Sequence, residues 1–170
     1  MVAGNGPANA AATQWSIHAK MDGAPTDPYA TRCAEVAGAS TANSAQTQMY
    51  GCRTHTTHQR WYFDLLPNGI NYRLRNVKSG KCMNVKGASK LEGAKVIQYT
   101  CGNADTYNDQ WRPLKVSSLG GYDYYQLMNR NSTLCLTVQG GSSADGADLI
   151  QGNCGTFPSS SNSFTWRSTV

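Results

Sequence analysis

The chain has little of what long helices and membrane spans are made from. No run reaches the roughly 18 consecutive apolar residues of a membrane-spanning helix, and no stretch carries a sustained apolar stripe of period near 3.6. Phenylalanine is scarce, at three residues, whereas glycine reaches 17 of the 170. Asn, Ser and Thr are abundant, and their side chains bond to nearby backbone in competition with helix. Short strands joined by polar turns are the expected result. At 170 residues the chain is long enough for one cored domain and short for two.

Signals for catalysis and metal binding are missing too. No Gly-x-Ser-x-Gly elbow follows a strand, and the serine-rich PSSSNS at 158–163 reads as loop. Hydrolysis of a glycosidic bond needs two carboxylates facing each other across a cleft, and ten acidic residues spread over a small domain offer no evident pair. His18, His55 and His58 are scattered, with no cysteine left over to join them, so neither a metal nor a cofactor is expected. The reading is of a protein that is not an enzyme. No basic segment followed by an apolar core opens the chain, and residues 1–14 read as a loose N-terminal segment.

The C-x-x-C spacing of a redox or zinc pair is also absent. The six cysteines instead fall into Cys33/Cys52, Cys82/Cys101 and Cys135/Cys154, each pair nineteen residues apart. Trp61, Trp111 and Trp166 follow the second cysteines at nine to twelve residues. This is an internal threefold repeat within one domain over 15–168, with units at about 15–70, 71–123 and 124–168. Three intra-repeat disulfides are the economical pairing, and they point to an oxidising, extracellular destination, that is, a secreted protein. Each closes a loop of about twenty residues, worth on the order of 3 kcal/mol in chain entropy.

Matched offsets continue through each unit. Ile17, Leu74 and Leu127 sit on the first strand, in WSIHAK, YRLRNV and YQLMNR. Val36, Val85 and Val138 follow the first cysteines and are expected to face the core with the three tryptophans. Gly38, Gly87 and Gly140 come two residues later, where a turn needs positive φ. The step from Leu74 to Cys82 and from Leu127 to Cys135 is eight residues, whereas from Ile17 to Cys33 it is sixteen. An eight-residue insertion in MDGAPTDPYAT, read as a surface loop, accounts for the difference. Each unit of four short strands is too small to bury its own apolar face, so three must share one core, giving twelve strands in an all-β domain.

The net charge of +5 is concentrated in the middle: residues 71–116 hold nine Lys or Arg against three acidic residues. These cations are scattered through strands and turns, not gathered on one recognition element, so they read as a solvated positive face able to steer acidic partners. Nucleic acid is not expected as a partner.

Cys-x-x-Val, a turn, a strand ending in aromatic-x-Cys and then a Gln-x-Trp ending together resemble the ricin-B or R-type lectin β-trefoil. That module also occurs as a carbohydrate-binding appendage on secreted bacterial glycoside hydrolases. The resemblance covers residues 15–168, and QRW at 59–61 completes its pattern in the first unit. It implies a β-trefoil with three four-strand repeats and a shallow sugar site in each. A carboxylate two residues after the first cysteine accepts from sugar hydroxyls, an aromatic two before the second stacks on the ring, and polar residues complete the contacts. Carried over, the first unit offers Glu35, Gln48, Tyr50, His58 and Gln59. The second offers Asn84, Ile97, Tyr99, Asn108 and Asp109. The third offers Thr137, Ile150, Gly152, Ser163 and Phe164, and lacks both platform and carboxylate, so it is expected to be structural.

Blander readings stand beside these. Tyr50 and Tyr99 fit half-buried strand positions, Glu35 fits a surface salt bridge, and Gln59 fits a backbone-positioning role. The expected function is binding of a galactose-like or xylan-type glycan, alone or beside a fused catalytic domain outside this chain. The competing function is a trefoil whose sugar sites have decayed and which binds a protein partner.

Overall fold

The structure is a computed structural model describing residues 12–19, 32–155 and 162–168. The expected insertion at 21–31, residues 1–11 of the N-terminal segment and most of the serine-rich loop lie outside the described residues. The first repeat supplies β1 (Trp15–Ala19), β2 (Arg32–Val36), β3 (Thr47–Gly51) and β4 (Trp61–Leu65). The second supplies β5 (Tyr72–Asn76), β6 (Cys82–Val85), β7 (Val96–Tyr99) and β8 (Trp111–Leu119). The third supplies β9 (Tyr122–Asn129), β10 (Cys135–Val138), β11 (Ala147–Gly152) and β12 (Phe164–Ser168).

Six of these strands close a barrel. Antiparallel pairing runs from β1 to β4, β5, β8, β9, β12 and back to β1. Closure leaves none of the six with an unpaired edge, which is how small all-β domains avoid edge-to-edge association. The other six form the hairpins β2–β3, β6–β7 and β10–β11. These meet one another through Met49 opposite Ala147, Gln46 opposite Ile97 and Lys95 opposite Ile150. The domain is therefore an all-β β-trefoil with threefold pseudo-symmetry. Its disulfides are Cys33–Cys52, Cys82–Cys101 and Cys135–Cys154, one inside each repeat.

The repeated apolar positions do converge on one core. Ile17, Leu74 and Leu127 are fully buried, and so are Val36, Val85 and Val138 to within 2%. Gly38, Gly87 and Gly140 sit at φ of 60°, 63° and 65°, in the left-handed region that a Cβ disfavours. They turn the chain sharply after each valine and send it back as the second hairpin strand.

One core assignment needs correction. Trp61 stands opposite Trp15, Trp111 opposite Tyr72, and the residue opposite Tyr125 is Phe164, not Trp166. Phe164 is fully buried alongside Trp61 and Trp111. The two tryptophans donate Nε1–H to Ala34 O at 2.9 Å and Met83 O at 3.0 Å, a bond phenylalanine cannot make. Trp166, two residues on, instead lies half-buried at the barrel mouth. It stacks on Tyr125 at 4.2 Å and tilts against Phe63 at 5.0 Å. These rings, with Trp15, Tyr72 and Pro113, line a recess of about 350 Å³.

Buried amides lock one repeat to the next. Gln98, fully buried, donates to Ser40 O and Ala42 O at 2.9 and 2.8 Å and accepts from Ser79 Oγ at 2.7 Å. Gln151 repeats the pattern with Ser89 O, Leu91 O and Ser132 Oγ. The carboxylates and amide of Asp145, Glu92 and Asn43 accept the backbone N–H of Gly51, Asn153 and Thr100. Each hairpin is thus held by the loop of a neighbouring repeat, which fixes the outer face on which the candidate residues stand.

Candidate functional site

Hairpin register brings the candidate residues together. In an antiparallel pair, residues two apart on each strand share a face with their cross-strand partners. Glu35 pairs with Gln48 and Cys33 with Tyr50, so all four share one face of the first hairpin. Asn84, Ile97, Cys82 and Tyr99 do the same in the second, and Thr137, Ile150, Cys135 and Gly152 in the third. The loop before β4 or β8 then lays His58 and Gln59, or Asn108 and Asp109, beside that face.

The first repeat is the most heavily bonded. Glu35 Oε1 accepts Gln48 Nε2 at 2.8 Å and Oε2 accepts Gln59 Nε2 at 2.8 Å, with His58 Nε2 at 3.4 Å. At 4% exposure Glu35 is a buried acceptor, which overturns the surface salt-bridge reading. Its partner Gln59 is itself only 2% exposed, so removing the Glu35 side chain strips a buried donor of a partner. Gln59 further donates to Gly51 O at 2.9 Å and accepts Arg53 N at 2.8 Å, so its work is to pin the turn. The Arg53 guanidinium carbon stands 4.7 Å from the Tyr50 ring centre, a cation–π contact that occupies one face of this platform.

The second repeat leaves its platform open. Tyr99 is 44% exposed, and the amide of Asn108 donates to Asn84 Oδ1 at 3.0 Å and to Val85 O at 2.9 Å. That fixes Asn84 beside the ring. Asp109 is fully buried, accepting Arg73 Nε at 2.9 Å and Gly102 N at 2.7 Å on Oδ2. It braces the loop beneath the face and is closed off from anything bound above, so the direct polar contact expected of it is revised to a positioning role.

In the third repeat Gly152 removes the platform, and Thr137 donates its hydroxyl back to its own strand at Cys135 O, 3.0 Å away. Correcting the register also moves the loop position expected at Phe164. The counterpart of Gln59 and Asp109 is Asn162, which accepts Gln126 Nε2 at 3.3 Å and donates to Asn153 O at 3.2 Å. Ser163 and Phe164 belong to the core side. The basic middle is partly neutralised: Arg73, Arg75, Lys95 and Lys115 pair with Asp109, Asp64, Asp148 and Asp123.

Sequence reasoning missed two features of this region. Arg53 over Tyr50 had no pattern to reveal it. Nor did a pocket of about 310 Å³ beside the first disulfide, lined among others by Ser16, His18, Arg53 and Arg60. His18 Nδ1 lies 3.8 Å from Cys33 Sγ and 3.6 Å from Cys52 Sγ, but both sulfurs are in the disulfide and offer no thiolate to a metal.

A twelve-stranded trefoil with shallow hairpin faces, each an aromatic or its remnant beside polar side chains, defines a carbohydrate-binding module of the lectin type. The model of the ricin-type β-trefoil lectin domain-like family matches residues 11–99 and 57–152, and the chain belongs to that family. Modules of this class bind carbohydrate and carry no catalytic machinery, and this domain is one of them. Among solved structures, a designed threefold-symmetric protein, ThreeFoil, is 30% identical with a TM-score of 0.73, covering 90% of this chain and 96% of that one. The exo-β-1,3-galactanase of Clostridium thermocellum is 24% identical with a TM-score of 0.74, covering 94% of this chain but 30% of the enzyme. The Rhizoctonia solani agglutinin is 14% identical with a TM-score of 0.70, covering 96% and 98%. Comparison with curated protein sequences gives no match. Among the described residues no helix is long and apolar enough to cross a membrane.

Proposed function

We propose that the domain binds a galactose-like or xylan-type glycan as a secreted module, chiefly through the second repeat and secondarily through the first. The observation that carries this reading is the exposed Tyr99 ring beside Asn84, whose carbonyl is held by the Asn108 amide. An aromatic plane takes the apolar face of a pyranose, and fixed amides take its hydroxyls. Neutral amides make weaker bonds than a carboxylate, so the second repeat trades strength for accessibility. The first repeat keeps the carboxylate of Glu35 but has Arg53 on its platform. A galactanase and an agglutinin among similar folds accord with a sugar ligand, and three disulfides accord with an extracellular setting.

Each site is shallow, so a monosaccharide is expected to bind weakly and a multivalent glycan more tightly through linked sites. Isothermal titration with galactose, lactose and xylo-oligosaccharides tests the assignment. Tyr99→Ala is expected to lose most of the binding, Tyr50→Ala part of it, and Thr137→Ala none. Wild-type affinity in both tyrosine variants overturns the site. A second reading, a protein-binding trefoil, draws on the capped Tyr50 and the missing third platform. It becomes the better one if no glycan on a broad array is bound while a protein partner is captured.

A further inference from the structure

The three repeats fill one equivalent space in three ways. The residue before each core position of the first strand is Ser16, Arg73 or Gln126, preceding Ile17, Leu74 and Leu127. Arg73 reaches across to the loop behind the second disulfide, donating to Asp109 Oδ2 and Asn103 O. Gln126 does the same in the third repeat, donating to Gly155 O at 2.8 Å and Asn162 Oδ1 at 3.3 Å. Ser16 is too short to span. Its hydroxyl shares a bond with His18 Nε2 at 2.7 Å on its own strand and donates to Arg167 O on the paired β12 at 3.4 Å. Among the described residues no side chain takes the plug's place in the first repeat, where a pocket of about 310 Å³ lies.

The chemistry of that pocket is one-sided. Arg53, Arg60, His18 and His55 line it together with Ser16 and Gln59, and among the described residues no carboxylate does. Among the described residues neither Arg53 nor Arg60 forms a salt bridge. Arg53 links the pocket to the candidate platform, because its guanidinium lies over Tyr50 while the residue also lines the pocket. A guanidinium offers parallel N–H donors that match the two oxygens of a carboxylate or sulfate, and such bonds are about twice as strong as neutral ones.

We propose that this unplugged pocket takes the anionic group of an acidic saccharide, a carboxylate or a sulfate ester, whose ring lies against the first repeat at Tyr50. This rests on the glycan-binding reading of the domain and names the class of glycan that the first repeat prefers.

Titration calorimetry at about 0.15 M salt tests it with digalacturonic acid, a galactose sulfate ester, neutral galactose and sodium sulfate alone. The wild type is expected to bind both acidic sugars at least about tenfold more tightly than galactose. Ser16→Gln carries the third repeat's plug into the first. It is expected to erase that preference and leave galactose binding at the second repeat unchanged. Arg53→Gln, a change to an exposed side chain, is expected to weaken the acidic sugars about fivefold or more, and it decides the matter should Ser16→Gln fail to fold by circular dichroism. Equal affinity of the wild type for acidic and neutral sugars overturns the proposal, as does a preference that survives both variants. Sulfate alone binding as tightly as the sulfated sugar also overturns it, since the pocket is then a simple anion site. Loss of galactose binding in Tyr99→Ala is read separately. Acidic binding that vanishes in Ser16→Gln without any galactose binding would sink the second-repeat assignment and keep this one.

Discussion

Glu35 can be removed in two ways, and the structure expects them to differ. Its two oxygens each accept an amide N–H at 2.8 Å, from Gln48 and Gln59. In Glu35→Ala the Gln59 amide, 2% exposed, keeps Gly51 O but loses the acceptor of its other N–H, and an orphaned buried donor costs about 1–3 kcal/mol. Gln48 is half-buried and can turn to water, which adds little. The void left by the shortened chain adds up to about 1 kcal/mol. The sum is about 1–4 kcal/mol, or roughly 2–16 °C in Tm for a domain of this size. Glu35→Gln keeps the shape. Its carbonyl can stay on Gln59, its amide can face Gln48, and Gln48 can rotate to offer its own oxygen, for a cost below about 1 kcal/mol. Differential scanning calorimetry on both variants, with disulfides intact, measures the contrast. Equal losses, or a loss under about 0.5 kcal/mol in Glu35→Ala, would refute the buried-acceptor reasoning. The contrast also decides which variant reports on sugar binding: Glu35→Gln does, whereas Glu35→Ala mixes a ligand contact with a damaged loop.

Gln98→Met places in the second repeat the residue that the first carries there, Met49. It forfeits three bonds, to Ser40 O, Ala42 O and Ser79 Oγ, so urea titration is expected to show a loss of about 2–4 kcal/mol; under about 1 kcal/mol would mean water replaces the clasp. At the tip of the β8–β9 hairpin, the bond from Lys115, joined by Ser118, holds the Asp123 carboxyl below its ordinary value. The folded value is depressed, so what this pair contributes is present above the ordinary carboxylate range and lost as pH falls through the folded value. Amide shifts of Ser118 and Asp123 are expected to titrate with a midpoint below that of an ordinary aspartate, and Asp123→Asn to flatten them. A midpoint at or above the ordinary value is the contrary result.

Much of the fold was legible because a trefoil repeats its constraints. Cysteines nineteen apart fix where a hairpin begins and ends, and strand alternation then forces Glu35 opposite Gln48 and Asn84 opposite Ile97. The glycines after Val36, Val85 and Val138 carried the turn. Trp166 misled because Phe164 and Trp166 are two apart on one strand and share a face, so pattern alone does not choose which ring is in the core and which at the mouth. The ten-residue step from Cys154 to Phe164, equal to that from Cys101 to Trp111, was the available signal. The depth of Gln59 and Asp109 was not legible, since the side a loop residue turns to depends on partners such as Gly51 and Arg73. The unplugged pocket depends on a strand residue meeting a loop some 36 positions later, as Arg73 meets Asp109. Only the folded chain brings that comparison about.

The separation of core from site explains how three copies of one sequence could diverge so far. What the repeats must keep lies in the shared core: Ile17, Leu74 and Leu127, the three valines, and the aromatic at Trp61, Trp111 and Phe164. A change there is felt by all three units because they share one core. The candidate face of each hairpin is different, since Glu35, Asn84 and Thr137 there bond to residues of their own repeat. Gly152 can replace a tyrosine, and Thr137 a carboxylate, at little cost to the barrel. The same independence lets Ser16 stand where its counterparts are Arg73 and Gln126 without unsettling Ile17 beside it. Divergence at such positions changes what each face can hold, so a domain with one fold comes to present an open platform, a capped platform with a basic pocket, and a blank.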